Sequence, residues 1–174
     1  LGSLGDLGAF SFHETKNIIS GEGGALIVNN EKFLDRSEII REKGTNRTLF
    51  KKGKVDKYSW CDIGSSYLPS ELVSGFLLKQ LNLSKQITKE RLTIWLKYDE
   101  LLHPLEKEGF IRRPTIPEEC TQNGHIYYII VNPIIRNKVI SKLRDNNIEA
   151  TSHYVPLHST IAGKKYGKIY SPIK

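Results

Sequence analysis

Phe10-Ser11-Phe12-His13-Glu14-Thr15-Lys16-Asn17, followed by Gly21-Glu22-Gly23-Gly24-Ala25-Leu26-Ile27-Val28, is the stretch that decides the reading of this chain. Ala9 to Phe12 alternates with the period of two of a strand, setting Phe10 and Phe12 on one face and Ala9 and Ser11 on the other. Lys16 follows in a polar turn. The glycines at 21, 23 and 24 give backbone freedom ahead of a second apolar run, Ala25 to Val28, so an antiparallel pair is expected around that turn. Gly2, Gly5 and Gly8 recur at every third residue. That is not the Gly-x-Gly-x-x-Gly dinucleotide pattern, no strand precedes it, and these read as loop glycines.

Asn30 is placed to cap a helix of about a dozen residues that carries Phe33, Leu34, Ile39 and Ile40 and ends before Gly44. Residues 44–68 are rich in Gly, Lys, Ser and aromatics without sustained periodicity, and long structured loops are usually functional. Beyond Pro69 and Ser70 a helical pattern runs to about Leu81, with Val73, Leu77 and Leu81 on one stripe; a second helix carries Leu92, Trp95, Tyr98, Leu102 and Leu105. Pro114 and Pro117 flank a connector. After it, Ile126 to Val131 reads as a strand, Val139, Ile140 and Leu143 as the inward face of a helix stopped by Asn146-Asn147, and Ala150 to Val155 as another strand. The order predicts an α/β protein: residues 1–68 ending a large α/β domain, 69–113 a helical connector, and 114–174 a small α+β domain.

The hydrophobic share of 39% fits an ordinary globular protein. Lys and Arg number 26 against 19 Asp and Glu, a net charge of +7 that suits anionic partners such as a phosphorylated cofactor, a nucleotide sugar or nucleic acid. Basic residues gather at Lys51, Lys52, Lys54 and Lys57, with Phe50 and Tyr58 interleaved. Most such runs are solvated surface, and no helix-turn-helix, zinc-finger or RNA-binding signature accompanies this one, so no nucleic-acid partner is expected. The longest apolar stretch, Ile126 to Val131, is far short of a membrane span, and the first residues lack a secretory pattern. No membrane partner and a cytoplasmic location are the expectation. Cys61 and Cys120 are the only cysteines, and nothing in the His, Cys or acidic spacing marks a metal site. The chain starts at Leu1 with no Met anywhere and runs at once into a strand-like segment, which reads as a piece of something longer.

A single lysine is ordinarily a surface charge. Here its surroundings, Ser-Phe-His, two residues, Lys, then Gly-Glu-Gly-Gly, resemble the Schiff-base segment of the DegT/StrS-type sugar-nucleotide aminotransferases. The resemblance implies the C-terminal part of a fold-type-I aminotransferase using pyridoxal 5'-phosphate, with Lys16 catalytic and bound to the cofactor. An amine must be neutral to attack an aldehyde, and a lysine released afterwards can serve as general acid and base. Ser11 is, by the same resemblance, a hydroxyl donor to the cofactor phosphate, its alternative being a strand-end hydroxyl that satisfies local backbone. His13 is expected, by the same resemblance, to help shape the pocket without an assigned proton-transfer role, its alternative being a purely structural histidine.

The likeness covers nearly the whole chain. Residues 39–47, 55–58 and 62–70 look like the branch of that family that makes thymidine-diphosphate 4-amino-4,6-dideoxygalactose, which implies glutamate as amino donor, a thymidine-diphosphate 4-keto-6-deoxy sugar as acceptor, and a homodimer. Relatives in the wider family often carry an Asn before the Leu-Pro pair that reaches the partner subunit's cofactor phosphate. This chain has Tyr67 there, and Tyr67, Ser65 and Ser66 are the candidates for the contact. His153-Tyr154-Val155-Pro156-Leu157-His158 resembles the family's sugar-nucleotide segment, making His153 and His158 the substrate-binding candidates, each set against a packed structural histidine. Two further classes stand beside this reading: a truncated domain that folds without catalysis, and a basic nucleic-acid binder.

Overall fold

The computed structural model describes residues 1–168. Residues 169–174, the last stretch of the expected small domain, lie outside the described residues. Strand β1 (Leu7–Ser11) pairs antiparallel with β2 (Gly24–Val28), Leu7 opposite Val28 and Ser11 opposite Gly24. The pairing expected around the lysine turn is therefore present, and it continues past the strand ends: Phe12 N–H donates to Gly23 carbonyl at 2.8 Å and Ser20 N–H to Phe12 carbonyl at 2.7 Å. Both faces of this ribbon carry apolar residues, Phe10 on one and Leu26 on the other, the pattern of a strand meant to be covered on two sides.

Asn30 caps as its sequence position requires, its side chain accepting from Lys32 N–H, but a 3-10 turn, Glu31–Phe33, comes before helix α1 (Leu34–Arg41). The stretch expected as an irregular loop holds a short helix, α2 (Arg47–Lys51), and is pinned at Gly44. Its carbonyl accepts from Cys61 N–H at 2.7 Å and Asp62 N–H at 3.0 Å, and its φ of +76° with the Asp62 carbonyl pressed against it leaves no room for a Cβ. Asn46 fixes the same loop from the other side, donating to Lys57 carbonyl and accepting from Ser59 N–H.

Helix α3 (Glu71–Asn82) starts where Ser70 accepts from Val73 N–H, and α4 (Ser84–Lys107) comes next, keeping Pro104 in its last turn. Two compact units result: residues 1–101 with 115–127, and, among the described residues, 102–114 with 128–168. In the first unit the core is aromatic. Trp95 of α4 is 6% exposed, meets Tyr127 edge-on at 5.0 Å between ring centroids, and donates its indole N–H to Ile126 carbonyl at 3.0 Å; Tyr98 stacks on Tyr127 at 5.5 Å.

In the second unit helix α5 (Arg136–Asp145) forms where expected and stops at Asn147, whose φ of +59° turns the chain out of the helix. Beyond it lie a 3-10 turn, Leu157–Ser159, and helix α6 (Ile161–Tyr166), capped by Thr160, neither of them expected from the sequence pattern. The two strands expected here do not form. Arg112 and Ile130 exchange both backbone hydrogen bonds at 2.9 Å, and the ladder ends there. The next pair on one side would need an N–H from Pro114, which has none, and on the other the N–H of Phe110, already given to Leu105 carbonyl. Residues 150–155 form no strand and pair with none among the described residues, and Tyr154 N–H is taken by the imidazole of His153.

With so few buried apolar groups, Trp95 should dominate the first unit. Trp95→Ala is expected to lower unfolding stability by about 3 kcal/mol, and Trp95→Phe by roughly 1 kcal/mol through loss of the indole hydrogen bond, both read from urea unfolding of the protein. A shift within experimental scatter for Trp95→Ala would show that the aromatic cluster is not the core.

Candidate functional site

The connection from β1 to β2 is built by its own polar groups. Lys16 N–H donates to His13 carbonyl at 2.9 Å, closing a turn that sets the lysine side chain at an exposed position, and Lys16 has no ion pair among the described residues. Thr15 N–H donates to His13 Nδ1 at 3.2 Å, so the ring's proton sits on Nε2, which faces Glu22 Oε1 at 3.4 Å. Ser20 is buried beneath the turn and donates to the carbonyls of Phe12 and Glu22. Ser11 Oγ accepts from His13 N–H at 3.3 Å, and its own O–H has no acceptor among the described residues. An exposed amine and a hydroxyl with a free donor thus stand at the same end of one hairpin.

Asn17, the residue after the lysine, ties this turn to the rest of its unit. Its side-chain N–H donates to Asn123 carbonyl at 2.7 Å, while its Oδ1 accepts from Arg91 Nε of α4 at 2.9 Å and lies 2.8 Å from His125 Nδ1. The approach of residues 123–125 to α4 depends on Gly124. Its φ is +63°, and a Cβ there would lie 2.9 Å from Arg91 backbone and 3.0 Å from Leu92 backbone. Burial, and then the charges of Lys16 and Arg91, hold the His125 imidazole below its ordinary value. Arg91, Asn123 and His125 are not marked out by the sequence. An Asn123-Gly124 turn signal is present there, but nothing in sequence says what such a turn packs against.

Tyr67 sits in the loop before α3, its backbone N–H shared between Arg41 and Ser65 carbonyls and its ring 67% exposed; no hydrogen bond joins it to the Lys16 turn among the described residues. His153 and His158 belong to the second unit. His153 Nδ1 accepts from Tyr154 N–H at 2.8 Å, so the neutral ring carries its proton on Nε2, on an exposed side chain. His158 lies in the 3-10 turn and is also exposed. In the same unit Glu106 accepts from Arg113 N–H at 2.7 Å and from its guanidinium at 2.8 Å, and these bonds hold the carboxyl below its ordinary value.

The sequence profile described as the DegT/DnrJ/EryC1/StrS aminotransferase family matches residues 1–169. This chain belongs to that family. An uncharacterized protein of Methanocaldococcus jannaschii, MJ1066, is 32% identical to it over 91% of this chain and 42% of its own length. A dTDP-4-dehydro-2,3,6-trideoxy-D-glucose 4-aminotransferase of Saccharopolyspora spinosa is 25% identical, over 90% of this chain and 42% of its own. A UDP-4-amino-4,6-dideoxy-N-acetyl-beta-L-altrosamine transaminase of Campylobacter jejuni is 26% identical, over 95% and 43%. Among solved structures, Helicobacter pylori PseC, an aminotransferase involved in the biosynthesis of pseudoaminic acid, superposes with a TM-score of 0.82 at 21% identity, over all of this chain and 45% of its own. The α/β class expected from sequence is the fold of these aminotransferases, and this DegT-family chain spans about 42% of the length of the curated relatives it matches. Relatives acting on dTDP- and UDP-sugars both occur, so membership alone gives a nucleotide-sugar aminotransferase fold without choosing the nucleotide. No helix among the described residues is long and apolar enough to cross a membrane.

The lowered value of His125 makes a signed prediction. Below the ordinary imidazole value of 6.5 the unfolded chain binds the proton that the folded site resists, so stability rises with pH across that window and is lost as pH falls through it. Urea midpoints compared at about pH 7.5 and about pH 5.5 should fall more for the unmodified protein than for His125→Gln, which has no proton to gain. Equal falls in the two proteins would mean that His125 is not held neutral.

Proposed function

We propose that this chain is the lysine-bearing, C-terminal portion of a pyridoxal-phosphate-dependent aminotransferase. The complete enzyme moves the amino group of glutamate to C4 of a thymidine-diphosphate 4-keto-6-deoxy sugar. The observation that carries the reading is the pairing of an exposed Lys16, without an ion pair among the described residues, with the Ser11 hydroxyl at one end of the β1–β2 hairpin, in a chain of this family. The donor set fits the cofactor: a primary amine for its aldehyde and an O–H for its phosphate. When bound, pyridoxal 5'-phosphate supplies the aldehyde and an electron-withdrawing ring.

In this reading Lys16 Nζ is the nucleophile that holds the cofactor and then, once displaced by the incoming amine, the base and acid that carries a proton between carbon and nitrogen. Ser11 Oγ donates to the phosphate, which binds best to fixed hydroxyl and amide donors. Tyr67, with Ser65 and Ser66 beside it, is the proposed contact to the phosphate bound by the other subunit of a homodimer. His153 is the proposed sugar-nucleotide contact, because its exposed Nε2–H is a fixed donor for a sugar hydroxyl or a diphosphate oxygen; His158 lines the same segment. The choice of thymidine diphosphate is supported by the likeness of residues 39–47, 55–58 and 62–70 to the thymidine-diphosphate branch, and by a relative whose name places its activity on a dTDP keto sugar.

Two substitutions in the complete enzyme test these roles. Lys16→Ala and Lys16→Arg should each reduce glutamate-dependent amination by about a thousandfold or more, since neither side chain offers a neutral amine; turnover within tenfold of the unmodified enzyme would remove Lys16 from the chemistry. His153→Ala should leave cofactor absorbance intact while raising the KM for the nucleotide sugar about tenfold, the worth of one charge-assisted hydrogen bond. Loss of cofactor and thermal stability with KM unchanged would make His153 a packing residue.

A further inference from the structure

The polar cluster behind Lys16 allows a deduction about proton positions. Arg91 Nε can only donate and Asn123 carbonyl can only accept, so the two contacts of Asn17 fix which end of its carboxamide is oxygen. His125 Nδ1 faces that oxygen at 2.8 Å. Two acceptors cannot share a hydrogen bond, so Nδ1 carries the proton. The groups around the ring oppose a second proton: Lys16 approaches from the turn and Arg91 from α4, both cationic, while Asn17 and Asn123 bring no charge. In its neutral form His125 therefore has its lone pair on Nε2, the opposite tautomer from His13 and His153.

We propose that Arg91, Asn17 and His125 form a positioning relay for Lys16, in which Arg91 orients the Asn17 carboxamide, and Asn17 both anchors the lysine turn and locks His125 as the Nδ1–H imidazole. The inference rests on the reading of Lys16 as the cofactor-bearing residue. Its physical content is that Asn17 adjoins Lys16 in sequence, so fixing its side chain to two other segments removes the rotational freedom of the turn that carries the amine. None of the three is proposed to exchange protons with substrate.

The experiment uses the complete enzyme labelled with 15N-histidine, whose ring nitrogen shifts distinguish Nδ1–H from Nε2–H, together with the rate at which pyridoxal phosphate is captured by the apoenzyme and fixed by borohydride. The expected result is an Nδ1–H signal for His125 that persists below the ordinary imidazole range. Asn17→Ala should abolish that fixed tautomer and slow capture at Lys16 by at least about tenfold. Asn17→Asp, nearly isosteric though it gives up the bond to Asn123 carbonyl, should move His125 titration upward, because a carboxylate accepting from Nδ1–H favours the imidazolium. An Nε2–H signal in the unmodified enzyme, or His125 titration unmoved by Asn17→Asp, would overturn the relay while capture at Lys16 stood. Capture at another lysine with the tautomer as expected would instead overturn the cofactor reading on which the relay's purpose rests.

Discussion

The carboxamide of Asn17 joins three segments that are far apart in sequence: the turn after β1, helix α4 through Arg91, and residues 123–125. An amide offers donors and acceptors in one rigid plane, so three partners constrain its position and its rotation together. The contact exists only because Gly124 lets the backbone of its segment lie against α4. Trp95, one turn along α4 from Arg91, uses the same approach to bury its ring against Tyr127 and to satisfy Ile126 carbonyl. Polar anchoring and apolar burial therefore act on the same pair of segments, and the lysine turn inherits its place from both.

Much apolar surface in this chain is not covered by the described residues. Leu26 of β2 is 55% exposed and Leu72 of α3 is 87% exposed, values that an ordinary single-domain protein would not leave on a sheet face and a helix stripe. The relatives are more than twice as long as the chain, and under the proposed reading the remaining length covers the ribbon and supplies the ring-nitrogen partner and the other phosphate donors. The hairpin is then the inner part of a larger sheet, which accounts for strands apolar on both faces.

Local chemistry is legible in sequence where one residue acts on its neighbours. The pairing of the two runs around Lys16, the cap at Asn30, and the helix stop at Asn146-Asn147 each depend on side chains within a few positions. The apolar runs at 126–131 and 150–155 mislead because a strand is a property of a pair. Pro114 and the already engaged Phe110 N–H deny the first its ladder, and no apolar pattern within the run reveals that. The Asn17 cluster is hidden for a related reason: Arg91 and His125 look like a helix-surface cation and a histidine ahead of an apolar run until Gly124 brings them together. Lys16 and Ser11 are recognisable by resemblance of the surrounding motif, since spacing alone leaves a lysine as a surface charge.

The claim on which the functional account turns is that the amine at position 16 holds the cofactor. It is tested most directly by reducing the complete enzyme with borohydride in the presence of pyridoxal phosphate, digesting it, and locating the pyridoxyl group by mass spectrometry. The account predicts a single modified peptide with the group on Lys16. Modification at Lys43 or Lys57 instead, with Lys16 recovered unmodified, would contradict it.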